Sequence, residues 1–337
     1  MIYADQRWIG NHGIGRFARH VLAGLNYQPV QLNSSPAAPL DSWFLARALR
    51  KLQSTDLFFS PGYNTPMFCP APFVFTMHDL SHIFCPESRK PQIQLYYATV
   101  MKRACRRAAK ILTVSEFTRH QIISWSGVSA EKVVSLGNGV DSAFRPEGDS
   151  YGLPFRYVLS VSNRKPHKNE FRIVEAFAKA DLDPKIHLVF TGLPTSKLSR
   201  WMAAQGIHRR VEFVGGVDEE KLPSLYRGAE ALIFPSLYEG FGLPIIEAMA
   251  CGTPVLTSNI TAMPETAGGA ALLVDPRSVE QIARGTEQIV SSAYLRQDLR
   301  TKGLKRAAQL SWAGTTARAH EVIAASLRWC DSVLKAD

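Results

Sequence analysis

Residues 231–260, reading ALIFPSLYEGFGLPIIEAMACGTPVLTSNI, restrict the fold more than any other stretch. Residues 231–234 form an apolar run of strand length. Pro235 and Ser236 end it, and Glu239-Gly240-Phe241-Gly242-Leu243 follows as a glycine-punctuated loop. Pro244 suits the first position of a helix, where its missing N–H costs nothing. Gly252 can close that helix in the left-handed conformation, and residues 255–257 resume as strand. Strand, glycine turn and helix N-terminus in that order make an anion site, because unpaired amides and the positive dipole end face the ligand. Glu239 opens the loop and Glu247 is expected in the helix's first turn, with seven residues between them. Carboxylates do not usefully bind phosphate, but they accept hydrogen bonds from neutral hydroxyls. The ligand implied has sugar hydroxyls on both sides of a phosphate bridge, which describes a nucleotide-sugar.

A chain of 337 residues suits two α/β domains better than one core. Its apolar fraction of 46% and charged fraction of 20% are those of a globular protein. Cys69, Cys85, Cys105, Cys251 and Cys330 are odd in number and scattered, which reads as reduced thiols of a cytosolic protein. No signal peptide precedes the first strand and no apolar run reaches the length of a membrane span. A net charge of +10 asks for a negative partner. Nothing resembles a nucleic-acid reading module, so an anionic membrane surface or a phosphorylated acceptor fits better.

Along the chain, residues 1–4 read as a strand and Gly10-Asn11-His12-Gly13-Ile14-Gly15-Arg16-Phe17-Ala18 as a turn into a helix. Gly13, Gly15 and Ala18 match the alanine-ended dinucleotide fingerprint, and a tight turn packing helix on sheet explains them equally. Strands are expected at 29–32, 56–60 and 73–77, the last running into His78-Asp79. A lone histidine after a strand is commonly structural. Residues 91–110 read as one helix with Lys102, Arg103, Arg106, Arg107 and Lys110 on a basic face, either plainly solvated or laid on an anionic lipid surface. Ser115 is placed to cap a helix over 116–126. Residues 144–154, FRPEGDSYGLP, read as the linker between domains. The second half opens with a strand at 156–162 and the turn Asn163-Arg164-Lys165-Pro166-His167-Lys168-Asn169. Cations between a first strand and a helix suit a diphosphate and would neutralise a leaving group. Further strands are expected at 187–191 and 211–214, and residues 312–334 read as a helix with Ala319, Val322, Ile323 and Leu327 at helical spacing.

The intact run E-G-F-G-L-P-I-I-E-A-M-A-C-G-T-P-V resembles the signature of retaining glycosyltransferases of the GT-B fold, family 4. The resemblance covers nearly the whole chain and is tightest over 156–276. It implies two Rossmann-like domains facing across a cleft: an acceptor domain at 1–145, a nucleotide-sugar domain at 155–311, and a helical segment at 312–337 crossing back to the first. It places Lys168 at the pyrophosphate. Asn163 stands where the family carries an arginine, so Arg164 beside it takes that role. Gly240, Phe241, Gly242 and Leu243 would offer amides to the diphosphate, Glu239 would accept from the transferred sugar and Glu247 from the ribose. Val217, in Gly215-Gly216-Val217, would hold the base by main-chain groups, and Gly13 and Gly15 would lie near the donor phosphates. His78 would touch a sugar hydroxyl, with Arg16, Asp79 and Tyr63 on the acceptor side.

No ligand-spaced His/Asp cluster is present, so a metal-independent enzyme without cofactor is expected. The resemblance implies retention of configuration. With Glu239 assigned to sugar hydroxyls no nucleophile remains, which favours front-face attack over the double displacement of retaining hydrolases. The Asn163–Asn169 turn and short N-terminal half look most like bacterial enzymes using GDP-mannose or a GDP-deoxyhexose in O-antigen or exopolysaccharide assembly. Their acceptor is a polyprenyl-diphosphate-linked saccharide on the cytoplasmic face of the inner membrane. UDP-glucose or UDP-N-acetylglucosamine, and an epimerase or phosphorylase of the same fold, are the nearer alternatives. A nicotinamide oxidoreductase would want an acid where Asn33 and Ser34 stand. A non-catalytic scaffold would bind the donor without slowly hydrolysing it.

Overall fold

Short apolar runs alternating with amphipathic stretches build two parallel sheets of six strands. The computed structural model describes residues 1–86, 89–207 and 209–333, with side chains to residue 328. The chain divides into two units. One is Met1–Gly139 with the segment from Trp312 onward, and the other is Val140–Ser311.

In the first unit β1 (Ile2–Ala4), β2 (Gln28–Pro29), β3 (Leu57–Ser60), β4 (Phe73–Thr76), β5 (Lys110–Thr113) and β6 (Val133–Ser135) lie in the order β2-β1-β3-β4-β5-β6. The order reverses at β1 and β3, where a ligand crevice forms in sheets of this kind. The strand expected at 29–32 is only the two residues of β2. The helix expected over 91–110 is broken into Pro91–Tyr96, a π-helical turn at Tyr97–Met101, and Lys102–Arg107, while Lys110 opens β5. Ser115 does cap Glu116–Ser126, accepting from the Thr118 amide at 3.1 Å. The helix Trp312–Val333 packs on Gly13–Leu22: Thr316 donates to the His20 carbonyl and the His320 ring meets the Val21 carbonyl. Leu334 and the Cys330 side chain lie outside what is described. Among the described residues Cys69, Cys105 and Cys251 are free thiols.

In the second unit β7 (Arg156–Ser160), β8 (Ile186–Phe190), β9 (Val211–Phe213), β10 (Leu232–Phe234), β11 (Val255–Ser258) and β12 (Leu272–Val274) lie in the order β12-β11-β10-β7-β8-β9. Alternate residues of each strand feed opposite cores. Val158, Leu188 and Ile233 join one, and Tyr157, Leu159, Val189 and Leu232 the other. The order reverses between β7 and β10, so the loops after these two strands meet. The segment expected to link the domains belongs to this unit. Phe144 is buried edge-on against Tyr226, and the Tyr151 amide donates to the Ser224 carbonyl. Proline and glycine there make turns held on the surface, which composition cannot tell from a free tether.

Candidate active site

The loop after β7 and the loop after β10 are tied together residue by residue. Asn169 takes φ of 64° and sends its side-chain amide to the Pro235 carbonyl at 2.9 Å and the Pro276 carbonyl at 2.6 Å. The Leu237 amide donates to the His167 carbonyl at 2.7 Å. Across this seam Lys168 Nζ meets Glu239 Oε1 at 2.7 Å, with side chains only 12% and 13% exposed. The ammonium also lies over the Phe234 ring, 4.8 Å from its centroid. The Glu239 amide donates to Thr261 Oγ1 at 3.3 Å, and Thr261 itself has φ of 58°.

Gly242 has φ of 96° and turns the chain into the helix Leu243–Ala250 with Pro244 in its first turn. Among the described residues the amides of Phe241, Gly242 and Leu243 have no protein acceptor, while the Ile245 amide is returned to the Gly242 carbonyl. Thr266 Oγ1 donates to the Phe241 carbonyl at 2.6 Å and fixes the loop's orientation. One lysine, one carboxylate and a row of unmatched amides at a helix start thus gather at the sheet's switch point. That combination can hold a phosphate bridge and a hydroxyl-bearing group together.

Glu247 does not stand in the first turn. It is the fifth helical residue, is 4% exposed, and accepts from Tyr226 OH at 2.8 Å. Arg164 does not present its charge to the loop seam either. Its guanidinium pairs with Glu170 and the Thr191 carbonyl and lies over the Phe190 and Phe213 rings at 5.4 and 5.2 Å. Its φ of 62° turns the side chain inward. The acid it found is six residues on and the carbonyl 27 on, so motif register said nothing of either. Asn163 is exposed and accepts from the Lys165 amide at 3.4 Å. At the neighbouring strand end the Gly192 amide donates to the Gly215 carbonyl at 2.6 Å. The main-chain groups of Val217 make no protein hydrogen bond among the described residues.

A second cluster sits at the switch point of the first unit. His78, after β4, is buried with its Nε2 2.9 Å from the Pro61 carbonyl. A carbonyl only accepts, so Nε2 carries the proton and Nδ1 is left as an acceptor. Burial pushes the imidazole down to about 4, against a smaller upward pull from the Pro61 bond, so the ring is neutral at ordinary pH. Phe17 meets it edge-on at 4.9 Å and Tyr63 lies 5.8 Å away. The Asp79 amide donates to Tyr63 OH at 2.9 Å, and the Asp79 carboxylate accepts from the Ser81 amide at 2.8 Å.

His12 Nδ1 caps the helix Gly13–Leu22 by accepting from the Gly15 amide at 3.1 Å, and the Arg16 amide returns to the His12 carbonyl. Gly13 is exposed at the helix start, and Gly15 is buried against Gly10. A Cβ on Gly15 would fall 2.4 Å from the Gly10 carbonyl oxygen, so this glycine serves close packing of backbone on backbone. Among the described residues no cluster of three His, Cys, Asp or Glu side chains is placed to hold a metal ion.

The model of the family described as "Glycosyl transferases group 1" matches residues 152–306, and that of "Glycosyltransferase Family 4" matches residues 9–144. O-antigen chain mannosyltransferase B of Escherichia coli is 32% identical over 259 residues, 72% of this chain and 68% of that protein. The chain belongs to glycosyltransferase family 4. Serotype-specific mannosyltransferase WbdA of Escherichia coli is 28% identical over 226 residues, which are 62% of this glycosyltransferase and 28% of that longer protein. Among solved structures, Anabaena Alr3699/HepE in complex with UDP-glucose superposes with a TM-score of 0.74 at 17% identity, over 96% of this chain and 99% of that one. That likeness is one of fold, and it places the glycosyltransferase in the GT-B class.

Several residues that build these sites carry no signal in the sequence. Asn169 stands at a helix N-cap, yet its side chain leaves the helix and pins two loops. Trp8 lies against Gly62 and 6.3 Å from the Tyr63 ring. Partly buried Arg7 joins the buried Asp5 at 2.7 Å and Asp41 at 2.6 Å, and Asn64 donates to the same Asp41. These partners are up to 34 residues apart in the chain, beyond the reach of periodicity.

Proposed function

We propose that this glycosyltransferase is a retaining, metal-independent mannosyltransferase. It takes its sugar from GDP-mannose or a related GDP-deoxyhexose and delivers it to a lipid-linked saccharide in cell-surface polysaccharide synthesis. The observation that carries the reading is the Lys168–Glu239 pair beside the unmatched amides of Phe241, Gly242 and Leu243. The similarity to O-antigen chain mannosyltransferase B, 32% identical, supports mannose as the sugar. Work at the cytoplasmic face of an anionic membrane agrees with the +10 charge, and among the described residues no helix is long and apolar enough to cross one.

In the resting site Lys168 and Glu239 satisfy each other. A donor offers both a better partner: its diphosphate takes the ammonium and the three amides, and its sugar hydroxyls take the carboxylate. The cation and amides then stabilise charge on the leaving phosphate as the glycosidic bond breaks. A departing phosphate oxygen removes the acceptor hydroxyl's proton on the same face, so configuration is kept without a protein nucleophile. Val217 contributes main-chain groups to the base, and Glu247, held by Tyr226, takes the ribose. In the first unit the neutral His78 accepts a sugar hydroxyl at Nδ1. Gly13 and Gly15 form the helix start for phosphate, and Arg16, Tyr63 and Asp79 serve the acceptor. Arg164 is left out of the donor contacts because its charge is already met by Glu170.

A thermal-shift panel of GDP, UDP, ADP and dTDP tests the base. A ligand at a hundred times its dissociation constant adds about 2.7 kcal/mol. GDP alone should raise the midpoint, and selective stabilisation by UDP would overturn the GDP-mannose reading. Proton NMR of the product reads the anomeric configuration, and unchanged turnover in EDTA is expected.

A further inference from the structure

The first unit carries an apolar face edged with arginines that neither cluster above uses. Leu40 and Trp43, at the start of the helix Asp41–Leu49, are 64% and 48% exposed. Met67 and Phe68 are 55% and 57% exposed, and Leu95 is 65% exposed. Hydrogen bonds place them side by side. The Met67 amide donates to the Ser42 carbonyl at 2.9 Å, and the Ser42 hydroxyl lies 3.2 Å from Tyr96 OH, next to Leu95. Arg107 Nη1 donates to the Met67 carbonyl at 3.3 Å. Arg103 and Arg106, on the same basic segment Lys102–Arg107, are exposed. Between them Pro66, Phe68, Cys69 and Arg107 wall a cavity of about 270 Å³.

Scattered surface apolar residues need no explanation, but five large ones within a few hydrogen bonds of one another do. We infer that this face is a membrane-docking surface for an anionic phospholipid bilayer. Trp43, Met67 and Phe68 enter the headgroup–acyl boundary, Arg103 and Arg106 meet the lipid charge, and Arg107 receives one phosphate at the mouth of the cavity. A protein partner would leave the arginine fringe needing a matching acidic surface, whereas an anionic leaflet supplies the apolar and the negative phase together. This inference deepens the lipid-linked acceptor reading. It is tested separately, because vesicle binding is measured with no sugar present.

Vesicles of phosphatidylglycerol with phosphatidylethanolamine, against phosphatidylcholine alone, are the probe in a flotation assay with the full chain. Two double variants, Trp43→Ser with Phe68→Ser and Arg103→Glu with Arg106→Glu, should each lower partitioning onto anionic vesicles at least about tenfold. Both should keep the wild-type thermal midpoint and the wild-type rate on a detergent-dispersed acceptor. Quenching of fluorescence by spin-labelled acyl chains should fall in Trp43→Phe. Equal binding to neutral and anionic vesicles, or partitioning unmoved in both double variants, overturns the inference. So does a wild-type dimer in sedimentation that Trp43→Ser with Phe68→Ser dissolves, since the face would then belong to a second copy of the chain.

Discussion

Glu239 and Lys168 are each other's counter-ion while buried, so the charge of one is tolerable only with the other in place. Glu239→Gln keeps shape and a hydrogen-bond acceptor but removes the charge that pairs with Lys168 and, in the function proposed above, grips the sugar. Transfer should fall about a hundredfold while the fold persists, as steady-state rates beside circular dichroism would show; full activity in this variant would take Glu239 out of the mechanism. His78 acts on stability as well. Its folded-state value of about 4 lies below the ordinary 6.5, so the unfolded chain binds the extra proton first. The stability this ring contributes is therefore complete above pH 6.5 and is lost as pH falls toward 4. Unfolding free energies of wild type and His78→Gln from urea titrations should converge by about 1–3 kcal/mol across that window. Parallel curves would contradict the burial argument.

At the level of strands, turns and helices, local chemistry was readable where one residue settles the matter. The glycine loop, the proline-led helix and the Ser115 cap sit where spacing predicts. Legibility failed where the deciding partner is distant in the chain. Arg164 reaches the Thr191 carbonyl 27 residues on, Glu247 accepts from Tyr226, and residues 144–154 are held on the helix Leu222–Gly228. The π-helical turn at Tyr97–Met101 likewise has no mark in a sequence whose apolar spacing suits a plain helix. The turn before Gly13–Leu22 offers a sharp test at this scale. Gly15→Ala would drive a methyl into the Gly10 backbone, which cannot swing aside as a side chain would. A loss of about 1–3 kcal/mol in chemical denaturation is expected. An unchanged midpoint would mean the Gly10 turn is free to relax.

Across the whole molecule, the two parallel sheets follow from a repeated alternation of strand and helix that the sequence displays, while their strand orders are seen only in the structure. Which ends of the chain belong together does not follow from that alternation. The helix Trp312–Val333 lends buried Trp312, Ala319 and Ile323 to the unit that begins at Met1. Ile323→Ala should cost about 2–5 kcal/mol. Hydrogen exchange should show the loss as faster exchange in Gly13–Leu22, the helix on which it packs. Uniform acceleration over Val140–Ser311 instead would contradict the division into units.

That return of the last helix sets an order of events during synthesis. The segment Val140–Ser311 is continuous, so it can finish folding on the ribosome as soon as it clears the exit tunnel. The earlier-made unit lacks its closing helix until residues 312–333 have been made. Its histidine cluster and its oily, arginine-fringed face therefore mature after the segment Val140–Ser311 is already built.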